Sequence, residues 1–370
     1  MGLKIYSSAF GSCELHPNNI KKVLGNAPTE GVCGVVFCGT SDTEEYHKLL
    51  GNLKAATQDA LGKRVPVTLI PQYLLPGGGL SIDIYTIDNA DSIRIEEKNG
   101  VCYGIVESDD EKMLFFEGIA ASDFAESVRR QSDEVFGKLD ALLTEYGFEV
   151  DDIVRQWNYI GNIVGCRNGK QNYQEFNDAR SAYYGKGCWS KGYPAATGIG
   201  AAGEGIVVGG IAFKRKDQGG IYPIDNPLQI AAHVYSKNVL IDDDANAVKS
   251  TPKFERAKVI ESKMGAVCFV SGTAAIRGEE SMDASSARLQ TIKTIENIAH
   301  LVSKENLVKY GCKPYELRYV QLQVFIKNAE DYAEVRAEVE KAYPHLAVVY
   351  SIADVCRSEL LVEIEGILIS

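Results

Sequence analysis

The feature that most constrains this chain is that it repeats itself. Residues 113–119 read MLFFEGI and residues 267–273 read VCFVSGT, and each ends an apolar strand near a glycine, Gly118 and Gly272. A long helical pattern follows both, FAESVRRQSDEVFGKLDALLTEYG in one and SARLQTIKTIENIAHLVSKEN in the other, with apolar residues at three- and four-residue intervals. Strands VDDIVRQWNYIGNI and ELRYVQLQVFIKN come next, then helices YQEFNDARSAYYG and AEDYAEVRAEVEKAY. Each copy closes on a strand pair, YPAATGIGAAGEGIVVGGIAFK and PHLAVVYSIADVCRSELLVEIEGILI. The order strand, helix, strand, helix, strand, strand occurs twice. It predicts an α+β chain of two like units, each a mixed sheet with helices on one face.

At 370 residues the chain is long for one core, so two or three domains are expected. The repeats predict units at 111–215 and 263–370, a linking segment at 216–262 and an N-terminal α/β region at 1–110. In that last region VVFCGT at 35–40 echoes VCFVSGT, and the helical stretch TEEYHKLLGNLKAATQDALG follows. Together they point to a decayed third copy.

A net charge of −11 opposes general binding to nucleic acid or to an anionic membrane. An anionic substrate would have to be met by a few local Arg or Lys side chains. No apolar run reaches the ~18 residues of a membrane helix, and MGLKIYSSAFGSCELHP lacks a signal peptide's apolar core. MGLKIYSS does fit the loose N-myristoylation pattern, with Gly2 and Ser7. The nine cysteines form no CxxC and the five histidines do not cluster with them. No metal site and no disulfide framework are expected, and a reducing cytoplasm is the simplest setting. The run Asp242-Asp243-Asp244 reads as a solvated loop, because a divalent-cation site needs spaced ligands.

Near the C-terminus stands 353-ADVCRSELLVEIEG-366. Glu363 and Glu365, two positions apart on a strand, share one face, and Cys356 precedes them. Gly118 and Gly272 lie 154 residues apart, and the same offset sets Gly209 against Glu363. A carboxylate whose counterpart is a glycine points to a role for Glu363; the competing reading is an amphipathic strand with a wet face. In SGTAAIRG the small residues leave backbone N–H groups to hold a carboxylate or carbonyl, or else form a capped turn into a helix. Tyr173, Phe176 and Arg180 share a helical face, and Arg suits a carboxylate through its paired donors. His233 and Tyr235 share a face of a short strand. GIGAAGEGIVVGG at 198–210 lacks the Lys-Ser/Thr and the strand-then-helix setting of a phosphate loop, so it reads as a tight hairpin and no nucleotide site is expected.

These residues resemble a known family. SGTAAIRG, Gln290 before TIENI, and VEIEG are similar to the RidA (YjgF) family. RQWNYI at 155–160, NYQEFNDAR at 172–180, YPAATGIG at 193–200, NPLQIAAHVY at 226–235, FVSGTAAIRG at 269–278 and ADVCRSELLVEIE at 353–365 resemble, more specifically, the chorismatases. Those enzymes pair two RidA-like domains and cleave the enolpyruvyl ether of chorismate with loss of pyruvate. The resemblance implies Glu363 as the general acid on the vinyl ether carbon and Cys356 beside the ring. It implies Arg180, Tyr173, Tyr235 and Lys237 as holders of the substrate carboxylates, with Gly272 and Thr273 in the wall. Glu365 is left as a structural or solvent-facing partner. No metal or organic cofactor is implied. The partner is a small anionic cyclic substrate, and the products are pyruvate and a hydroxybenzoate or a dihydroxycyclohexadiene carboxylate. Because RidA proteins are trimers, either a monomer with a pseudo-trimeric core or a homotrimer is implied. The chain departs from the family at Asn172 and Lys237, where arginine is usual, and at His233, where tyrosine is usual; these put the substrate in doubt. The alternatives are a RidA-type enamine/imine deaminase, disfavoured because AVVYSIADV carries no arginine, and a non-catalytic ligand-binding protein on RidA-like repeats.

Overall fold

The computed structural model describes residues 3–10, 31–39, 46–88, 93–98, 100–167, 169–236, 250–262 and 265–370. The N-terminal unit contains β1 (Leu3–Phe10), β2 (Val32–Gly39), α1 (Tyr46–Leu61), β3 (Val67–Pro71) and β4 (Leu80–Ile87). The first repeat contains β5 (Ile93–Lys98), β6 (Val101–Glu107), β7 (Glu111–Ala120), α2 (Val128–Glu145), β8 (Ile153–Gly161), α3 (Asn172–Tyr184), β9 (Ala195–Ala201) and β10 (Ile206–Arg215). The second contains β11 (Ile221–Ile224), β12 (Ala257–Ser262), β13 (Gly265–Ala274), α4 (Ala287–Leu301), α5 (Lys304–Lys309), β14 (Arg318–Ile326), α6 (Tyr332–Ala342), β15 (Val348–Ile352) and β16 (Val362–Ile369).

Three sheets share one four-strand plan: β3-β2-β4-β1, β9-β8-β10-β7 and β15-β14-β16-β13. In each the first pair is parallel and the next two antiparallel. The N-terminal region therefore carries the same sheet plan, but not by the correspondence the echo suggested. VVFCG lies in β2, whose place in the plan is that of β8 and β14, whereas VCFVSGT is β13. A shared apolar-strand composition produced the echo.

The sheets do not respect the limits expected from the repeats. β5 and β6 extend the first sheet beyond β7, and β11 and β12 extend the second beyond β13. The first sheet thus starts at Ile93, not at 111, and the expected linking segment 216–262 supplies two strands of the second. The missed signal was Asn99-Gly100, a hairpin dipeptide between β5 and β6; Gly100 has φ +75°. Within 198–210, β9 and β10 do not form a hairpin, since they flank β8 on opposite sides.

Period-two alternation decides which side of each strand faces what. On β7, Leu114 and Phe116 pack under α2 and α3 with Val135, Leu139 and Phe176, while Met113 and Phe115 face the other way. On β16, Ile364 and Leu368 pack under α4 and α6 with Ile298 and Val335, while Ile367 faces the other way. That other side is common to all three sheets: Phe37, Tyr85, Phe115, Trp157, Phe269 and Phe325 meet there in one central core. Glu363 and Glu365 share that face, so it is buried and not wet.

Gln72 ties the three units at this centre: its Nε2 donates to Gly200 O (3.0 Å) and its Oε1 accepts from Ser351 Oγ (3.0 Å). The short strand Tyr73–Leu74 continues the second repeat's sheet beyond β15. No described helix is long and apolar enough to cross a membrane.

Candidate active site between the two repeats

Pairing on β16 corrects the constant offset. Glu363 lies opposite Ala274 on β13 and Phe325 on β14. In the first repeat the residue opposite Ala120, 154 positions before Ala274, is Val207. A row across each sheet confirms this register: Thr197–Trp157–Gly209 in the first repeat, Val349–Gln323–Glu365 in the second, Thr68–Val36–Asp83 in the N-terminal unit. The counterpart of Glu363 is therefore Val207, and Gly209 is the counterpart of Glu365. The two copies differ in length between the bulge and the last strand, which an offset fixed at the first strand does not register.

A pocket of about 730 Å³ opens where β9 and α3 of the first repeat meet β13 and β16 of the second. Glu363, Cys356, Tyr173, Tyr235 and Gly272 all line it. Glu363 is 5% exposed, and among the described residues no group hydrogen-bonds its carboxyl. Burial first, and the charge of Glu365 second, push that carboxyl up to about 8, with Arg155 and Arg256 pulling the other way. It holds its proton at neutral pH. Gly272 makes room for it: a Cβ there would fall within the van der Waals envelope of Glu363 Oε1. The N–H of Gly272 donates to Thr197 Oγ1 (3.0 Å) and that of Ser271 to Arg256 O (3.1 Å), so neither is free for a ligand.

Burial, with Glu363 next, pushes the Cys356 thiol up to about 12, so it stays a thiol and is no nucleophile near neutrality. Burial likewise raises the Tyr173 phenol, which remains protonated.

Several expected residues sit elsewhere. Thr273 is fully buried and donates to Ser271 O (2.9 Å) instead of lining the pocket. Arg180 lies behind the wall, its Nη2 donating to Asn177 Oδ1 (2.5 Å) and its guanidinium 5.4 Å from the Phe176 ring centre. Only Asn177 of that pair reaches the pocket. Asn172 Nδ2 donates to Asn162 O (2.9 Å), a local link. His233 is in a one-turn 3-10 helix, Ala232–Val234, not a strand, and its ring lies tilted against that of Tyr193, with centres 5.4 Å apart. Lys237 and Asp242-Asp243-Asp244 lie outside the described residues, as does Gly2.

The cations that do line the pocket are Arg256 and Arg357. Their guanidinium carbons lie 5.5 and 5.3 Å from the Tyr235 ring centre, so the phenol stands between two positive charges. Arg256 Nη2 donates to Tyr235 Oη (2.5 Å) and Ile230 O (2.7 Å); Arg357 Nη1 donates to Glu279 O (2.8 Å). Each keeps further donors for a ligand, because a guanidinium has five. Arg256 escaped notice because it sits in FERAKV, the segment read as a linker. Arg357 stands directly after Cys356 and was visible there.

Glu365 is buried and not solvent-facing. At 2% exposed, it accepts from Arg155 Nη2 (2.6 Å), Trp157 Nε1 (3.2 Å) and Thr197 Oγ1, all across the interface between the repeats.

The fold and this pocket define an α+β protein of three like sheets with a protonated carboxyl facing a pocket at the junction between the two repeats. Residues 90–212 match the family model of the N-terminal part of FkbO/Hyg5-like chorismatases. Among curated proteins the chain is 34% identical over 236 residues to the 3-hydroxybenzoate synthase of Streptomyces hygroscopicus, covering 61% of this chain and 65% of that one. It is also 34% identical over 225 residues to a chorismatase of Streptomyces rapamycinicus, covering 58% and 63%. The matched stretch thus spans just under two thirds of these relatives. A crystal structure of a chorismatase superposes with a TM-score of 0.73 over 99% of this chain and 98% of that one, at 22% identity, and shows the same fold. Over these stretches the chain is similar to the chorismatases.

Proposed function

We propose that the protein cleaves the enolpyruvyl ether of chorismate, or of a close cyclic dicarboxylate, releasing pyruvate. The observation that carries this reading is Glu363: a buried, protonated carboxyl with no hydrogen-bond partner among the described residues, facing a pocket that also holds two guanidiniums. Protonating a carbon needs an acid that keeps its proton near neutrality and is held in place. Glu363–COOH gives its proton to the terminal vinyl carbon. The ether carbon becomes an oxocarbenium ion beside the new carboxylate, which stabilises it. Water or a ring hydroxyl adds to that carbon and its proton returns to Glu363. The hemiketal formed by water collapses by breaking its bond to the ring oxygen, which takes the hydroxyl proton, to give pyruvate. The cyclic ketal formed by a ring hydroxyl breaks that same bond and also the bond between the ring and the added oxygen. The proton then lost from the ring carbon passes to the freed ring oxygen, to give pyruvate and the hydroxybenzoate. Arg256 and Arg357 pair with the two substrate carboxylates, and Tyr173 and Tyr235 orient them. Each of these roles is part of the proposal.

One relative bears on the product: it is named a 3-hydroxybenzoate synthase, which favours pyruvate plus a hydroxybenzoate. That outcome needs no net water, whereas a dihydroxycyclohexadiene carboxylate consumes one. In this reading Cys356, in the same wall as Glu363, is the neighbour of the substrate ring. The intramolecular ring of three sheets favours a monomer with a pseudo-trimeric core.

The test is incubation of the purified protein with chorismate, pyruvate release being coupled to NADH oxidation and the aromatic products separated. Pyruvate far above a Glu363→Gln control is expected. Release equal to that control rejects the reading.

A further inference from the structure

The mechanism uses Glu363 but leaves unexplained a buried charged pair directly behind it. Glu365 is on the same face of β16, two residues further on. Arg155 reaches it from β8 of the other repeat, 1% exposed, with its guanidinium 4.6 Å from the Trp157 ring centre. Replacing such a pair by apolar groups is often neutral or favourable for stability, so stability is a weak reason for its presence.

The link to the pocket is continuous. Thr197 Oγ1 donates to Glu365 Oε2, and receives Arg155 Nη2 (2.9 Å) and the Gly272 N–H (3.0 Å). Gly272 is the residue whose missing side chain makes room for the Glu363 carboxyl. Arg155 Nη1 also donates to Val270 O (3.4 Å), two residues before Gly272. The pair thus holds the bulge of β13 against β9 where Glu363 rests. Its charges matter as well. Glu365 is the only carboxylate in ion-pair contact with Arg155 among the described residues. Arg155 Nε is buried without a hydrogen-bond partner among the described residues. Take Glu365 away, and the guanidinium turns its field on Glu363 and Glu117.

We propose that Arg155, Thr197 and Glu365 form a positioning unit that spans the two repeats, fixes where the Glu363 carboxyl sits and sets the pH range over which it can act as an acid. Glu365 both repels a negative charge on Glu363 and neutralises the cation that would otherwise favour one. The other groups facing Glu363 are Arg256 ahead of β12, Cys356 and Arg357 ahead of β16, Tyr173 of α3 and Tyr235 of the 3-10 turn. Of these only the two arginines are charged near neutrality, and both favour the carboxylate. Burial is the larger influence that opposes them, and the opposing charge comes from Glu365. The pH range rests on the functional reading above, whereas the charge coupling does not.

The experiment is a carboxyl ¹³C titration of the full-length protein labelled at glutamate, with the Glu363 signal identified by its loss in Glu363→Gln. Glu365→Gln is expected to lower the Glu363 midpoint by about one pH unit or more, a tenfold change in proton affinity. Arg155→Gln is expected to raise it. Thr197→Val, close to isosteric, serves if those variants do not fold. Taking a donor from Glu365 leaves its charge less screened, so the Glu363 midpoint moves up by about half a unit. An unmoved midpoint in any folded variant of the three overturns the proposal. Pyruvate release is followed alongside, and its basic limb is expected to track the midpoint. Moved midpoints in a protein that never releases pyruvate would sustain the coupling and reject the enzymatic reading. Pyruvate release with fixed midpoints would do the reverse.

Discussion

Two junctions in this molecule are built alike, and of the two only the one between the repeats has a buried acid among the residues that line its pocket. Where the first repeat meets the second, Thr197 on β9 donates to Glu365 on β16. Where the N-terminal unit meets the first repeat, Thr68 on β3 donates to Glu117 Oε2 on β7 (2.8 Å). Each threonine stands at the same place in its sheet. Each buried carboxylate lies at a bulge, Glu117-Gly118 opposite Gly209 in one case and Ser271-Gly272 opposite Glu365 in the other. The difference is at the counterparts of the acid. Glu363 faces a pocket of about 730 Å³, whereas Val207 faces one of about 260 Å³ walled by Tyr46, Pro71 and Phe124. The Phe124 ring sits 5.5 Å from that of Tyr46 and 5.3 Å from that of His47, filling the space. The shared scaffold supplies a buried polar junction. The proposed chemistry needs three further things: an acid at the Val207/Glu363 position, a cleared cavity and arginines in its wall.

The largest effect should come from removing the first of these. Glu363→Gln keeps the shape and loses the proton donor, so kcat should fall by roughly 10²–10⁴ with KM little changed. Pyruvate release against substrate concentration measures both. A variant that keeps most of its kcat would place the acid elsewhere and make the two junctions equivalent again.

Next come the arginines, which the Val207 junction lacks. Arg256→Lys keeps the charge and gives up the bidentate fork, and kcat/KM should drop about 10- to 100-fold, mainly through KM. Arg357→Lys should act in the same direction. If Arg180→Lys has the larger effect on KM, the carboxylate site has been misplaced, because Arg180 is one layer behind the wall.

How much of this was legible in the sequence depends on which physical signal each feature leaves. The repeat announced itself through apolar strand ends and helix periodicity, and the glutamate at 363 was singled out beside Cys356. Its counterpart was misread as Gly209, because a pairing register is set by hydrogen bonds across strands, not by distance along the chain. The error had a use: Gly209 and Glu365 are the true pair, and that swap marks the buried junctions. Arg256 was hidden because β12 is only six residues long and reads AKVIES, mixed in polarity. Its burial comes from being flanked by β11 and β13, which no local pattern reports. Arg180 looked like a ligand from its helical face, but helical spacing cannot say how many layers separate a face from a cavity.

The glycines permit a matched test. A Cβ at Gly272 would collide with Glu363 Oε1, and one at Gly209 with Glu117 Oε2. At Gly272 the displaced carboxyl can swing into the pocket, so Gly272→Ala should fold and lose about 10- to 100-fold in kcat through misplacement of the acid. At Gly209 there is no such room, so Gly209→Ala should cost about 1–3 kcal/mol of stability by overpacking and leave kcat of the folded enzyme near normal. Thermal melts and turnover together decide. The reverse pattern would mean that the Glu363 junction is as tightly packed as its counterpart.

The smallest effect separates the two carboxyls by pH. Burial pushes Glu117 up to about 8, against the opposing hydrogen bond from Thr68, so it too is protonated at neutrality. A carboxyl that ionises near 4.5 unfolded and near 8 folded binds more protons in the folded state between those values. Its contribution to stability is therefore present at low pH and lost as pH rises towards 8. Lys258, lowered by burial to about 7, acts in the opposite sense above that pH, so the comparison must be between variant and parent. Glu117→Gln cannot ionise. It should gain stability relative to the parent as pH rises from about 5 to 8, by about 1 kcal/mol or more, and leave the pH profile of pyruvate release where it was. Glu363→Gln should show the same relative gain in denaturant midpoints. A Glu117→Gln enzyme whose basic limb moved would show that the N-terminal junction communicates with the acid through Arg155, which lies electrostatically between the two carboxyls.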